Sequence, residues 1–171
     1  NCNEMGQLPN AGFEKFHEAS YSSAKSQEPD GWHSFMSSTG KYASMVSSPV
    51  HTYASSEVRE NAAEDNKQCV KIVSTPVKVG PIVAASANGT ITTGRLKAGN
   101  MDATSKDNCS FLDFNSTDVD ANGDPFYAVL NNKPDAMKVW VKFKAGEGNK
   151  NPKATISALL TNGEYAQDPE D

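Results

Sequence analysis

The stretch Ala136-Met-Lys-Val-Trp-Val-Lys-Phe-Lys144 decides how the fold is read. Met137, Val139, Val141 and Phe143 share one parity, and Lys138, Trp140, Lys142 and Lys144 share the other. Successive side chains of a strand point to opposite faces. The spacing therefore predicts a strand with an apolar face on a core and a cationic, aromatic face in water. A large indole among lysines on a wetted face has two readings: a ligand stacks on it, or a loop or neighbouring domain covers it.

Working outward, the same kind of pattern recurs along the chain. Gly12–Glu18 reads as a first strand carrying Phe13 and Phe16, and Glu28-Pro-Asp-Gly31 as a turn ahead of Trp32 and Phe35. Ser55–Asn66 is rich in Ser, Ala and Glu and predicts a short surface helix capped by Ser55 or Ser56. Gln68–Ser74 reads as a buried strand through Cys69, Val70, Ile72 and Val73. Val77–Ala85 and Gly89–Leu96 follow, with Asn88-Gly89 as a hairpin-type turn. Phe111, Leu112 and Phe114 mark another strand, Phe126–Leu130 leads to the opening stretch, and Ala154–Leu160 is the last strand. Short strands and frequent turns predict an all-β domain, a β-sandwich over residues 11–171 preceded by a tether at 1–10.

Size and charge narrow the function. At 171 residues the chain can bury a real core. Its 16 basic and 21 acidic residues give a net charge of −5, with the basic ones scattered, which argues against nucleic acid as partner. No apolar run approaches a membrane span. The three cysteines, Cys2, Cys69 and Cys109, show no zinc-type spacing, and their odd number argues against a full disulfide framework. Cys69 reads as a small packed hydrophobe. Cys2 reads either as a free thiol on a frayed end or as the lipid-bearing residue of a bacterial lipoprotein whose signal peptide has been removed.

No Gly-x-Ser-x-Gly elbow, phosphate loop or His-Glu-x-x-His occurs, so the chain reads as a non-enzyme. Asp118-Val-Asp-Ala-Asn-Gly-Asp124 matches the start of a calcium loop, with Asp118, Asp120 and Asn122 as oxygen ligands. Position twelve of that loop is Val129 rather than a bidentate Glu, which favours an ordinary acidic turn over a Ca2+ site. Trp32 reads as a buried ring closing one end of the sandwich. Trp140 is the candidate platform for a sugar ring, with Lys138, Lys142 and Tyr127 as polar partners for its hydroxyls. Asn88-Gly-Thr, Asn108-Cys-Ser and Asn115-Ser-Thr fit the N-glycosylation pattern, which matters only in a eukaryotic secretory pathway.

Several of these pieces fall into one ordered series. Leu8-Pro-Asn-Ala-Gly-Phe-Glu-Lys-Phe16 resembles the "P-N-G-G-F-E-x-W" opening of a bacterial family named as a carbohydrate metabolism domain. Pro29-Asp-Gly-Trp32 resembles its "P-x-G-W" step, Gln68-Cys-Val-Lys-Ile72 its "y-S-V-K-L" strand, and Thr93-Gly94 its "T-G" step. Gly123-Asp-Pro-Phe126, Lys133-Pro-Asp135 and Val139–Lys144 are similar to its "G-x-P-F…R-P-D…Y-Y-K-Y" run. Phe16 stands where the family often has Trp, and Lys133 where it has Arg.

The resemblance implies a jelly-roll sandwich similar to carbohydrate-binding modules, on an exported or outer-membrane lipoprotein of Gram-negative anaerobes. Its partners would be a polysaccharide or oligosaccharide. It also implies a structural Ca2+ held by Glu14. Family members usually continue past the position of Asp171, so the resemblance implies a sandwich that is incomplete or complemented. Two other expectations stay open: an assembly component of an outer-membrane protein complex, and a glycoside hydrolase with paired carboxylates.

Overall fold

In the computed structural model the described residues are 8–21, 24–43, 51–79, 81–150 and 152–164. Cys2 and most of the 1–10 tether lie outside them. The described chain is all-β: eight short strands, one 3-10 turn and no α-helix. The strands form four antiparallel pairs. β1 (Phe16–Tyr21) pairs with β2 (Ala24–Pro29), and β3 (Thr52–Ser55) with β4 (Cys69–Ile72). β5 (Thr75–Val79) pairs with β6 (Ile82–Ala87) through a bulge at Val77/Lys78, and β7 (Arg95–Ala98) with β8 (Asn108–Phe111).

The first pair sets the inward face. In its register His17 lies opposite Glu28 and Ala19 opposite Ser26, so these four share one side of the ribbon. Ala19, Ser26 and Glu28 are buried and His17 nearly so. Phe16 starts the strand later than Gly12–Glu18 predicted, because Asn10 and Phe13 adopt positive φ and Asn10 Oδ1 accepts the Glu14 and Lys15 N–H groups in a turn.

β2 and β3 approach without forming a ladder. Thr52 Oγ1 donates to the Gln27 carbonyl at 3.0 Å, and Ser26 Oγ donates to the Thr52 carbonyl at 3.0 Å. Hydroxyls thus occupy the carbonyls that a continuous sheet would need.

The segment after β2 closes the body. Ser34 caps the 3-10 turn Phe35–Ser37 through its hydroxyl, which accepts the Met36 N–H, and Met36 is buried beneath it. His33 and Thr92 exchange both backbone hydrogen bonds, and Thr39 bridges β7 through the Leu96 carbonyl and the Ala98 N–H. Leu96, Ala98 and Phe111 point inward from the last pair. Phe126 is also buried, its ring 4.5 Å from the His33 ring with the Arg95 guanidinium over it at 4.3 Å. Gly31 permits the turn out of β2: its φ is +76°, and a Cβ there would meet Pro9 Cβ at 2.6 Å.

Several expectations are corrected. Ala136–Lys144 forms no strand; both parities face solvent, Val139 at 50% exposed and Trp140 at 65%. Alternation alone does not make a strand, because each needs a ladder partner, and none of the described residues pairs with this stretch. Ala154–Leu160 is also outside any strand and exposed. Phe126–Leu130 contains no strand; only Val119 and Pro125 form a bridge.

Ser55–Asn66 is not helical. Ser55 Oγ instead accepts the Glu57 N–H in a local turn, and Asn61 takes positive φ. β4 exists, but Ile72 is 42% exposed rather than buried. The hairpin following it joins β5 to β6 between Val79 and Ile82, and Asn88-Gly89 instead ends β6. The remaining mapped strand ends at Phe111, short of Leu112 and Phe114.

The core is small, and the arm beyond residue 130 stands outside it. Replacing Phe126 with Ala is expected to cost about 3–5 kcal/mol in urea unfolding, whereas Phe143→Ala on the arm should change stability by less than about 0.5 kcal/mol. An equal loss for both would show that the arm packs as a core strand.

Candidate functional site

Among the described residues, buried polar side chains are nearly as numerous as buried apolar ones. His33 and Glu28 are among the largest fully buried side chains. Uncompensated burial of such groups is costly, so their partners decide what the interior is for.

Four elements deliver one cluster. β1 supplies His17, β2 supplies Glu28, the bridge to Thr92 holds His33, and the Asp118–Asp124 loop supplies Asp120. His17 Nε2 lies 3.2 Å from Asp120 Oδ2 and 3.6 Å from Glu28 Oε2. His33 Nδ1 lies 3.3 Å from the same Asp120 oxygen. The side chains of Glu28, His33 and Asp120 are 0–1% exposed.

The far side of each group is held in place. Asp30 Oδ1 accepts from His17 Nδ1 at 3.0 Å, and the Pro125 carbonyl accepts from His33 Nε2 at 3.0 Å. Glu28 Oε1 accepts from Ser34 N, Ser34 Oγ and Ser37 Oγ at 2.5–2.9 Å. Asp120 Oδ1 accepts the Asn122 and Asp124 N–H groups at 2.9 and 2.8 Å, which folds the loop around it. Asp124 Oδ2 reaches across to the Gly31 N–H at 2.8 Å and ties that loop to the end of β2.

The electrostatics follow from this packing. The carboxylate of Asp120, then that of Glu28, raises His17 to about 10 against the opposing effect of burial. Although burial opposes its ionisation, Asp120 is held well below the usual carboxylate range by hydrogen bonds with His17, His33 and the Asp124 N–H. His51 is apart from the cluster; burial lowers its pKa, and its Nδ1 bonds the Val73 carbonyl at 3.1 Å. A cavity of about 190 Å3 lies against the carboxylate side, lined by Ala19, Glu28, Met36, Val119, Asp120 and Phe126 among others.

The residues singled out from sequence distribute differently. Glu14, Asp118, Asp120 and Asn122 do not converge on one point. Glu14 accepts the Lys67 and Gln68 N–H groups at 3.1 and 3.3 Å, and Asp118 pairs with Arg95 at 3.1 Å. Asn122 Nδ2 donates to Asp124 at 2.9 Å. Only Asp120 belongs to the buried cluster.

The donor groups His17, Glu28, Asp120 and His17, Asp30, Asp124 each lie within 4.8 Å, close enough to hold a metal ion. His17, Glu28 and His33 were not singled out from the sequence. Their one local signal was the shared parity of His17 with Ala19 and of Glu28 with Ser26.

Trp140 is solvent-exposed on the arm, with the Arg59 guanidinium 4.6 Å and Lys138 Nζ 5.2 Å from its ring centre. Lys142 pairs with Glu57 at 3.3 Å and holds that carboxyl below the usual range. Tyr127 is half-buried on the body. Trp32 is half-buried, donating from Nε1 to the Pro9 carbonyl at 2.8 Å with Phe13 against its edge at 5.1 Å. Cys69 is half-buried and its Sγ contacts the Glu57 carbonyl at 3.5 Å.

Compared with known proteins, the chain matches no family model, no curated protein and no solved structure. The resemblance to the carbohydrate metabolism family therefore rests on its motifs alone. No helix of the described residues is long and apolar enough to cross a membrane.

The pKa shifts give a signed pH dependence for the metal-free protein. His17 binds its proton more tightly folded than unfolded, so its contribution is complete below about 6.5 and is lost as pH rises towards about 10. The contribution of Asp120 is present above about 3.8 and is lost as pH falls below it. With a chelator present, the melting temperature should decline between pH 7 and 9.5, and His17→Gln should remove most of that slope. A wild-type slope equal to that of the variant would contradict the assignment.

Proposed function

We propose that this chain is a non-catalytic glycan-binding module of the jelly-roll class, with the arm around Trp140 as its contact surface. The observation that carries this is the indole itself. It is 65% exposed beside two cationic side chains, Arg59 and Lys138, with Lys142 two residues on. An aromatic face covers the C–H face of a sugar ring, and neighbouring ammonium and guanidinium groups donate to its hydroxyls. The carboxylates that converge in the body are buried among hydrogen-bond donors, an arrangement that suits structure better than attack on a substrate. In this reading the module is exported and held at the outer-membrane surface, with Cys2 as its lipid anchor.

A second reading has its own observation. Met137, Val139, Val141 and Phe143 are half-exposed on a stretch that belongs to no sheet, which is the state of a strand awaiting a partner. Under it the arm pairs with a protein of a surface complex.

Isothermal titration against a panel of polysaccharides separates the two. The glycan reading expects measurable binding that Trp140→Ala weakens roughly tenfold or more. Binding that is undiminished in the variant clears Trp140 of the role. No binding to any member, together with co-purification of a membrane-complex partner, favours the second reading.

A further inference from the structure

We propose that His17 Nε2, Glu28 Oε2 and Asp120 Oδ2 form a binding site for one divalent first-row transition ion of the manganese or zinc kind, its shell completed by water. The three residues place their donor atoms within 4.8 Å of one another. All three named atoms are buried, and none makes a well-formed hydrogen bond. Buried polar atoms are rarely left in that state, and here the Glu28 and Asp120 side chains are only 0% and 1% exposed.

The ring tautomer explains the anomaly. The Asp30 carboxylate takes the Nδ1 hydrogen of His17 at 3.0 Å, so the neutral ring presents a lone pair at Nε2. That lone pair faces Asp120 Oδ2 at 3.2 Å and Glu28 Oε2 at 3.6 Å, three acceptors turned on one another. A proton on Nε2 can point at only one of the two oxygens, and it leaves the other carboxylate buried without a partner. One dication satisfies all three atoms together. His33 stays outside this shell: its Nδ1 approaches Asp120 Oδ2 at 3.3 Å, but it shares no donor group with His17 and Glu28.

The separations and the donor types fit one ion class. Bonds of about 2.0–2.2 Å at tetrahedral to octahedral angles place neighbouring ligand atoms about 2.8–3.6 Å apart. The two separations from His17 Nε2 are 3.2 and 3.6 Å. An imidazole suits transition ions such as zinc, and carboxylates with water suit manganese. Ca2+ instead takes six to eight oxygens at about 2.3–2.6 Å, and Mg2+ an octahedron of oxygens.

The outer contacts match as well. A metal-bound imidazole usually donates its other N–H to a carboxylate or a carbonyl, as His17 does to Asp30. The second oxygens of Glu28 and Asp120 are each held by two or more donors, which aims the first oxygens at His17. The neighbouring group of His17, Asp30 and Asp124 lacks this signature, because Asp30 is engaged by His17 and Asp124 by Gly31 and Asn122. The cavity of about 190 Å3 is lined by Glu28 and Asp120, and at about 30 Å3 per water it has room for several. An ion here ties β1, β2 and the acidic loop together while its remaining positions stay open to that water.

The test uses the chain stripped with a chelator, dialysed and titrated with manganese chloride and zinc chloride, with calcium chloride and magnesium chloride in parallel. The proposal expects about one manganese or zinc ion per chain by elemental analysis. It expects a melting temperature raised by roughly 5–10 °C when that ion exceeds Kd about a hundredfold, and no comparable rise with calcium or magnesium. Glu28→Gln and Asp120→Asn should each abolish the stoichiometric ion, and Asp124→Asn should keep it. Should those variants fail to fold, X-ray absorption on the loaded wild-type chain decides, because the site supplies one imidazole and completes its shell with oxygen. The proposal is overturned if the wild-type chain takes up neither ion stoichiometrically, or if calcium or magnesium stabilises it as strongly. It is also overturned if folded Glu28→Gln keeps the ion, if folded Asp124→Asn loses it, or if the bound ion shows the scattering of no imidazole or of two.

Discussion

Two carboxylates and two imidazoles share a water-poor interior, and the rest of the body is arranged to make that tolerable. Glu28 and Asp120 would repel one another and lose hydration on burial, so positive charge must lie between them. Every segment that reaches the cluster also brings a clamp for one of its members. The 3-10 turn brings Ser34 and Ser37 to Glu28, and the acidic loop wraps its own N–H groups around Asp120. The turn after β2 brings Asp30 to His17, and the bridge to Thr92 holds His33 against Phe126. Cross-linking of distant segments through one centre is what a chain of separate two-stranded pairs needs, since isolated hairpins are marginal in water.

The body and the arm obey different physics. In the body, hydroxyls and carboxylates take up backbone donors and acceptors, and a few apolar residues such as Leu96, Phe111 and Phe126 seal the gaps. In the arm, apolar side chains of both parities stay in water, tied down by the Lys142–Glu57 pair and the stacking of Arg59 on Trp140. Exposed ion pairs of that kind contribute little, roughly 0–1 kcal/mol. The arm is therefore presented rather than packed, which is the property a contact surface requires.

Legibility in the sequence follows the same division. The all-β class could be read because turns and β-branched runs are local signals, and β4, β5 and β6 carry the latter in Val70, Ile72, Val77, Val79, Ile82 and Val83. The acidic loop was recognisable as a turn through Asn122-Gly123, where Gly123 adopts a φ of +87°. What could not be read was direction: Asp120 turns inward because His17 and His33 are there, and only the register of β1 on β2 puts His17 opposite Glu28. The alternation of Ala136–Lys144 was visible, but no sequence pattern states whether a partner strand lies beside it. Nor could the sequence show that Asp118 turns to Arg95 and Asn122 to Asp124.

The most direct test of the account is an NMR titration of the imidazole nitrogens in the metal-free protein. It predicts that the buried carboxylates keep His17 protonated through neutral pH, with a midpoint near 10. A midpoint near 6.5 would contradict it.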